Sequence, residues 1–127
     1  LQIWDTAGQE RFESLGKSFY RGTDICCIVY SINDINSFNR INYWKDKYIN
    51  ESQQKYQKLL LLGNKCDLDD NRKININDAQ KYADDNKLMF YECSALTGKN
   101  IEKALTNICI ETSNKENIPY FNNSSPP

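Results

Sequence analysis

The stretch on which the rest of the sequence depends is Leu1-Gln2-Ile3-Trp4-Asp5-Thr6-Ala7-Gly8-Gln9-Glu10-Arg11-Phe12. Its apolar alternation predicts a strand, and Asp5 at the strand's end is suited to Mg²⁺, because this cation prefers oxygen ligands. Gly8 lets the backbone approach a phosphate and offer it an N–H group. The Gln9 amide both donates and accepts, so it could orient a water molecule for attack on a γ-phosphate. The stretch therefore indicates a nucleotide-triphosphate switch.

The same run carries a family resemblance. Residues 4–12 resemble the second switch of Rab-type small GTPases, and Phe19-Tyr20-Arg21-Gly22-Thr23 is similar to a further Rab element. The resemblance implies that GTP and GDP bind, that Asp5 holds Mg²⁺ through water, that Gly8 contacts phosphate and that Gln9 is catalytic. It also implies that effectors contact three aromatic side chains, Trp4, Phe12 and Phe19. For Trp4 and Phe19 a plain core position is an equal alternative.

Length and composition describe one ordinary globular domain. The chain has 127 residues, 39% of them hydrophobic and 26% charged, with a net charge of −1. That balance gives no electrostatic case for binding nucleic acid or a membrane surface. The five cysteines form no C-x-x-C pair and the chain has no histidine, so we expect reduced core thiols rather than a metal site.

Three further strands and three helices are predicted downstream. Short apolar runs predict a parallel strand covered on both faces at 24–31 and a buried strand at 59–63, and a last strand is predicted at 88–92. Apolar spacings of three and four residues predict helices at 37–50, 73–86 and 100–113. Their expected caps are 33–36, Asn75 and Asn100, and their expected inner residues are Phe38, Ile41, Trp44, Tyr48, Ala79, Tyr82, Ala83, Ile101, Leu105, Ile108 and Cys109.

Two motifs follow predicted strands. Asn64-Lys65-Cys66-Asp67 stands at a carboxyl end, where open α/β sheets bind ligands. Its N-K-x-D pattern is typical of guanine recognition, since the Asp67 carboxylate can accept from the ring N1–H and exocyclic amine, which adenine does not offer. Asn64 is expected to tie the loop together, and the Lys65 stem to lie along the base. The resemblance implies that a second motif, Ser94-Ala95-Leu96, contacts guanine through backbone amides.

These elements predict an α/β fold with three layers, the P-loop NTPase fold of small GTPases. The first strand, P-loop, first helix, first switch and second strand of that fold are not found, so we expect a fragment or an incomplete gene model. We expect such a chain to bind GTP poorly by itself. In the resembled fold the first strand lies between 1–4 and 24–31, so we also expect an unpaired edge there and marginal stability.

The domain prediction is a partial GTPase domain at 1–113 and a disordered, asparagine-rich tail at 114–127. The resemblance implies a GTP/GDP switch of vesicle traffic, closest to the late-endosomal Rab branch. Its partners would be effectors, an exchange factor and an activating protein, on the cytosolic face of endomembranes. No cysteine follows Cys109 for prenylation. A non-catalytic remnant that acts as an interaction module without nucleotide is the alternative.

Overall fold

The computed structural model describes residues 23–52 and 58–123, with side chains up to residue 113. Its strands are β1 (Ile25–Ser31), β2 (Lys58–Asn64) and β3 (Met89–Glu92). Its α-helices are α1 (Ile35–Asn39), α2 (Ile41–Glu51), α3 (Ile76–Asn86) and α4 (Ile101–Asn123), and a 3₁₀ helix spans Cys66–Asn71. The predicted strand and switch in residues 1–22 lie outside the described residues.

Within the described residues the sheet is parallel and has the order β1-β2-β3. Leu61 in the middle strand pairs with Ile28 on one side and Phe90 on the other. Each of the two strand-to-strand connections contains helix, as parallel pairing requires. Helices cover both faces of this sheet, so the three-layer α/β class predicted from the sequence is confirmed.

One face of the sheet packs against α1, α2 and α3. Ile28 and Tyr30 of β1 and Leu61 of β2 point to this side, where they meet buried residues of α2 and α3. The structure buries the residues that the helical spacing predicted to face inward, so this prediction is confirmed. Ile41, Tyr48, Ala79 and Ala83 are buried, while Phe38, Trp44 and Tyr82 are partly buried against the same cluster.

The opposite face, here called the α4 face, packs against α4. Leu60 and Leu62 of β2 lie under Ala104 and Ile108 of α4. A 2.7 Å ion pair between Lys58 Nζ and a Glu111 carboxylate oxygen joins the start of β2 to the same helix. The alternation of Leu60, Leu61 and Leu62 between faces explains why an unbroken apolar run forms this strand, since both of its sides are covered.

On the α4 face β1 is not covered as predicted. Val29 is 54% exposed and Cys27 is also exposed, although their strand neighbours Ile28 and Tyr30 are buried. The prediction of a strand buried on both faces is therefore wrong for β1, because α4 lies over β2 and β3 instead. All five cysteines are free thiols, and Cys93 is buried as expected, but Cys27 is not a core residue.

The helix ends follow the predicted caps with two differences. Asp34 and Asn75 cap α1 and α3, each accepting from the backbone N–H two residues later. The helix predicted at 37–50 is instead two helices divided at Arg40, whose guanidinium stacks over the Tyr43 ring at 4.4 Å. Asn100 has a left-handed backbone. Its side-chain amide donates a hydrogen bond to the Glu92 carbonyl, instead of accepting one from a backbone N–H in the first turn of α4.

The final helix continues to Asn123, ten residues beyond the predicted end near Ser113. Residues 114–118 contain no glycine or proline, but Pro119 lies inside the helix as the structure has it. Disorder of the tail at 114–127 stays a prediction. In the part of the chain that the structure describes, no helix is sufficiently long and apolar to cross a bilayer.

Candidate functional site

The two predicted motifs meet at the carboxyl edge of β2 and β3. The Cys93 N–H donates to the Gly63 carbonyl at 2.8 Å, and the Cys66 N–H donates to the Cys93 carbonyl at 3.0 Å. These bonds continue the strand pairing beyond the last ladder residues, Gly63 and Glu92. The loop after β2 and the loop after β3 are therefore held side by side, as parallel strand ends should be.

Asn64 connects the two loops directly. Its Oδ1 accepts from the Ala95 N–H at 2.9 Å. This contact agrees with the expectation that Asn64 ties the site together. It also uses the Ala95 N–H, one of the backbone amides that the family resemblance assigns to guanine.

Asp67 and Ser94 make the second connection between the loops. The fully buried Ser94 hydroxyl donates to Asp67 Oδ1 at 2.7 Å and accepts from the Thr97 N–H at 3.1 Å. Asp67 itself is exposed, and no described residue donates to its other carboxylate oxygen. The carboxylate is thus oriented by one oxygen while the other faces outward as an acceptor.

Lys65 and Leu96 lie on the solvent side of the same loops. Lys65 has a left-handed backbone with φ 68°, which costs on the order of 1 kcal/mol for a residue with a side chain. That turn directs the chain from β2 into the 3₁₀ helix that carries Asp67. Leu96 is 84% exposed, the most exposed large apolar side chain among the described residues. The structure thus brings together all six predicted base-site residues that it describes.

A salt bridge that sequence reasoning missed supports these loops. Both guanidinium Nη atoms of Arg72 donate to the Glu92 carboxylate, at 2.6 and 2.7 Å, and Arg72 Nε donates to Asp69 at 2.7 Å. The hydrogen bonds to Glu92 raise the pKa of Arg72, so the guanidinium stays charged. Glu92 stands two residues before Ser94, where the second motif begins, but nothing in the sequence pairs it with an arginine 20 residues earlier.

The close contact between Tyr30 and Gly63 was also not predicted from the sequence. The Tyr30 ring lies so close to Gly63 that a Cβ there would sit 2.6 Å from the Tyr30 hydroxyl oxygen. That hydroxyl is buried and makes no hydrogen bond with the described residues. The glycine before N-K-x-D is therefore explained by a close approach between two strands, a contact that a linear motif does not reveal.

Burial also changes the chemistry of a cysteine beside the site. Burial raises the pKa of the Cys93 thiol to about 11, and the neighbouring Cys66 thiol and Glu92 carboxylate add to the shift. The Cys93 side chain is thus a neutral thiol at neutral pH. Within the described ranges, no group of three or more His, Cys, Asp or Glu side chains is placed to hold a metal.

The other predicted site residues lie outside the described residues. They are the magnesium ligand Asp5, the phosphate contact Gly8, the catalytic Gln9 and the partner-binding aromatics Trp4, Phe12 and Phe19. Their roles stay predictions.

Comparisons with known proteins agree with the motifs. The sequence profile of the Ras family matches residues 1–114. The GTP-binding protein YPTM1 of Zea mays is 48% identical over 107 residues, covering 82% of this chain and 50% of that protein. The Ras-related protein Rab-7a of Paramecium octaurelia is 41% identical over 120 residues, covering 91% of this chain and 58% of that protein.

The GTP-binding protein YPT1 of Saccharomyces cerevisiae is 47% identical over 107 residues, covering 82% of this chain and 50% of that protein. The chain thus spans about half the length of the curated relatives it matches. Because Rab-7 and Ypt proteins match at similar identity, a late-endosomal subfamily is not selected. The match over residues 1–114 nevertheless establishes that the chain belongs to the Ras family, as a Rab-type small GTPase sequence.

Proposed function

We propose that this chain carries the guanine-binding part of a Rab-like GTP-binding protein, a GTP/GDP switch of vesicle traffic. The observation that carries the proposal is the pair of side-chain hydrogen bonds between the two loops, Asn64 to Ala95 and Ser94 to Asp67. Residues that are 27 to 31 positions apart in the chain converge at one edge of the sheet. Such an edge is where α/β proteins of this type bind nucleotides.

The Asp67 carboxylate supplies the base selectivity in this proposal. Its outward oxygen accepts from the two adjacent donors of guanine, while the Ser94 hydroxyl fixes the other oxygen. Adenine presents an acceptor at the ring position where guanine presents N1–H, so the same carboxylate rejects it. Lys65 covers one face of the base with its stem, and Leu96 contributes an apolar rim.

Ala95 supplies a backbone donor beside the Asp67 carboxylate. Its N–H donates to the Asn64 oxygen at 2.9 Å. The carbonyl oxygen of guanine would use the same donor, so this contact exchanges or shares one hydrogen bond and adds little to the affinity.

The catalytic part of the proposal rests on family membership. GTP hydrolysis would use Gln9 to orient the attacking water, Gly8 to contact the phosphate and Asp5 to hold Mg²⁺ through water. Effectors, an exchange factor and an activating protein of the Rab type would bind through Trp4, Phe12 and Phe19. The site of action would be the cytosolic face of endomembranes, with endosomes as the more specific hypothesis.

Base selectivity tests the proposal. Asp67→Asn replaces an acceptor by a donor and should favour xanthosine diphosphate over GDP, reversing the order in the parent chain. Asp70→Asn, an exposed acid of the same 3₁₀ helix, is the matched control and should leave the order unchanged. Both nucleotides are titrated at up to millimolar concentration, with the shifts of the loop amides as readout. An unchanged preference in Asp67→Asn would remove Asp67 from base recognition.

A further inference from the structure

Arg72 lies just beyond the 3₁₀ helix that carries Asp67 and binds groups from three parts of the chain. Its guanidinium contacts the Glu92 carboxylate through two nitrogens at 2.6 and 2.7 Å, Asp69 at 2.7 Å and the Ile74 carbonyl at 2.9 Å. The Glu92 side chain is only 10% exposed. These contacts connect the helix of the first motif to the strand end that precedes the second motif.

We infer that Arg72 is a positioning residue of the base site, which sets the Asp67 carboxylate at hydrogen-bonding distance from Ser94. The inference rests on the proposed function for its consequence in binding, but not for its geometry. Arg72 is held through Glu92 to Cys93, whose carbonyl accepts from Cys66. The salt bridge therefore supports both loops at the points where they leave the 3₁₀ helix and β3. In the proposed site it makes no contact with the base.

The geometry explains why the residue is arginine. A planar guanidinium binds both oxygens of one carboxylate and still has nitrogens left for Asp69 and Ile74, whereas a lysine ammonium is a single point charge. Glu92 is nearly buried, so without the bidentate contact a carboxylate would remain there with incomplete hydrogen bonding. The Glu92 backbone carbonyl also accepts from the Asn100 side chain at 2.8 Å, which fixes the far end of the second loop.

Amide hydrogen exchange in the full chain tests this role without any ligand. Arg72→Lys keeps the positive charge but loses the bidentate contact with the Glu92 carboxylate. The Cys66 and Ala95 amides should therefore exchange about tenfold faster, which is the change expected from losing one charge-assisted hydrogen bond. The Leu61 amide, in the centre of the sheet, should keep its rate. Lys81→Ala is the matched control, since it removes an exposed 2.7 Å ion pair with Asp85 on α3, and it should leave the Cys66 and Ala95 rates unchanged.

Glu92→Gln provides a second variant of the same shape, should Arg72→Lys fail to fold. It should accelerate exchange at the same two amides. Equal acceleration at Leu61, in whichever of the two variants folds, would show that the bridge only stabilises the whole chain. Unchanged exchange at Cys66 and Ala95 would likewise overturn the inference.

A GDP titration separates this inference from the proposed function. Where GDP shifts the Asp67 and Ala95 amides of the parent chain, Arg72→Lys should weaken that binding about tenfold, while Lys81→Ala should not. If GDP shifts no loop amide of the parent chain, the guanine proposal fails, and the exchange rates alone decide whether Arg72 positions the loops. Unchanged GDP affinity in Arg72→Lys would contradict a role in base binding.

Discussion

Val29 and Leu62 are direct neighbours in the parallel register of β1 and β2, and both point to the α4 face. Leu62 is 8% exposed beneath α4, whereas Val29 is 54% exposed. Among the described residues, none covers Val29 as α4 covers Leu62. The same face therefore has a covered part over β2 and β3 and an open part over β1.

The covered part of the sheet, β2 and β3, also carries the loops of the candidate site. The loops that follow β2 and β3 are joined by backbone bonds, by two side-chain hydrogen bonds and by the Arg72–Glu92 salt bridge. The comparison indicates that the part of the fold with the candidate site is held by contacts among the described residues, while β1 is less covered. This separation can be tested one residue at a time.

Leu62→Ala and Val29→Ala form the strongest test of the contrast. Leu62→Ala should cost about 2–5 kcal/mol of unfolding free energy, because it removes buried methyl groups and leaves a cavity under α4. Val29→Ala should change it by no more than about 0.5 kcal/mol, as expected at an exposed position. Urea unfolding of both variants gives the comparison. Equal losses would mean that Val29 is buried in solution.

Gly63→Ala tests the close contact beneath the first loop. The new Cβ would lie 2.6 Å from the Tyr30 hydroxyl oxygen and 2.8 Å from the ring carbon that carries it. Since the buried ring has no room to move, we expect a loss of about 1–3 kcal/mol.

Tyr30→Phe completes a double-mutant cycle with Gly63→Ala. Alone it should be neutral or stabilising, because the removed hydroxyl makes no hydrogen bond among the described residues. In combination it should recover part of the Gly63→Ala loss. Strict additivity of the two changes would exclude the contact.

Ser94→Ala tests the connection between the loops. The substitution removes the donor to Asp67 and the acceptor for Thr97, so unfolding free energy should fall by about 1 kcal/mol. Local exchange at Thr97 should rise more than exchange in β2. A stability equal to that of the parent chain would show that the Ser94 hydroxyl is dispensable in solution.

Alkaline titration tests the burial of Cys93. The folded pKa of Cys93 is raised from 9.0 to about 11, so the unfolded chain loses this proton first. Stability should therefore be constant below about pH 9 and fall as the pH rises toward 11. Cys93→Ala should reduce that slope, and an identical slope in the variant would assign the effect to other groups.

The sequence was sufficient for the elements whose patterns are local. The described strands, the inner residues of α2 and α3, and the caps at Asp34 and Asn75 depend on spacing within one segment, so they were predictable. The bidentate salt bridge between Arg72 and Glu92 and the packing of Tyr30 on Gly63 are contacts between distant segments. A local sequence pattern does not reveal such contacts. Exposure of β1 was mispredicted for the same reason, because burial depends on which helix lies over a strand.

The Asn64–Ala95 hydrogen bond shows a further limit. The sequence predicted that Asn64 ties the loop together and that Ala95 contacts guanine, but it did not reveal that these two residues bond to each other. A donor and an acceptor brought together by folding satisfy one another. A motif indicates which groups could meet a ligand, but the hydrogen bonds that these groups make with each other have to be found from the structure.

The most direct test of the account is a comparison of two mononucleotides on the isotopically labelled chain. Guanosine and adenosine monophosphate carry the same sugar and phosphate, so they differ only in the base. We expect the guanosine compound to shift the amides of Lys65, Asp67, Ala95 and Leu96, and the adenosine compound at equal concentration not to shift them. Equal shifts with both nucleotides, or shifts confined to residues away from these two loops, would contradict a guanine site at the ends of β2 and β3.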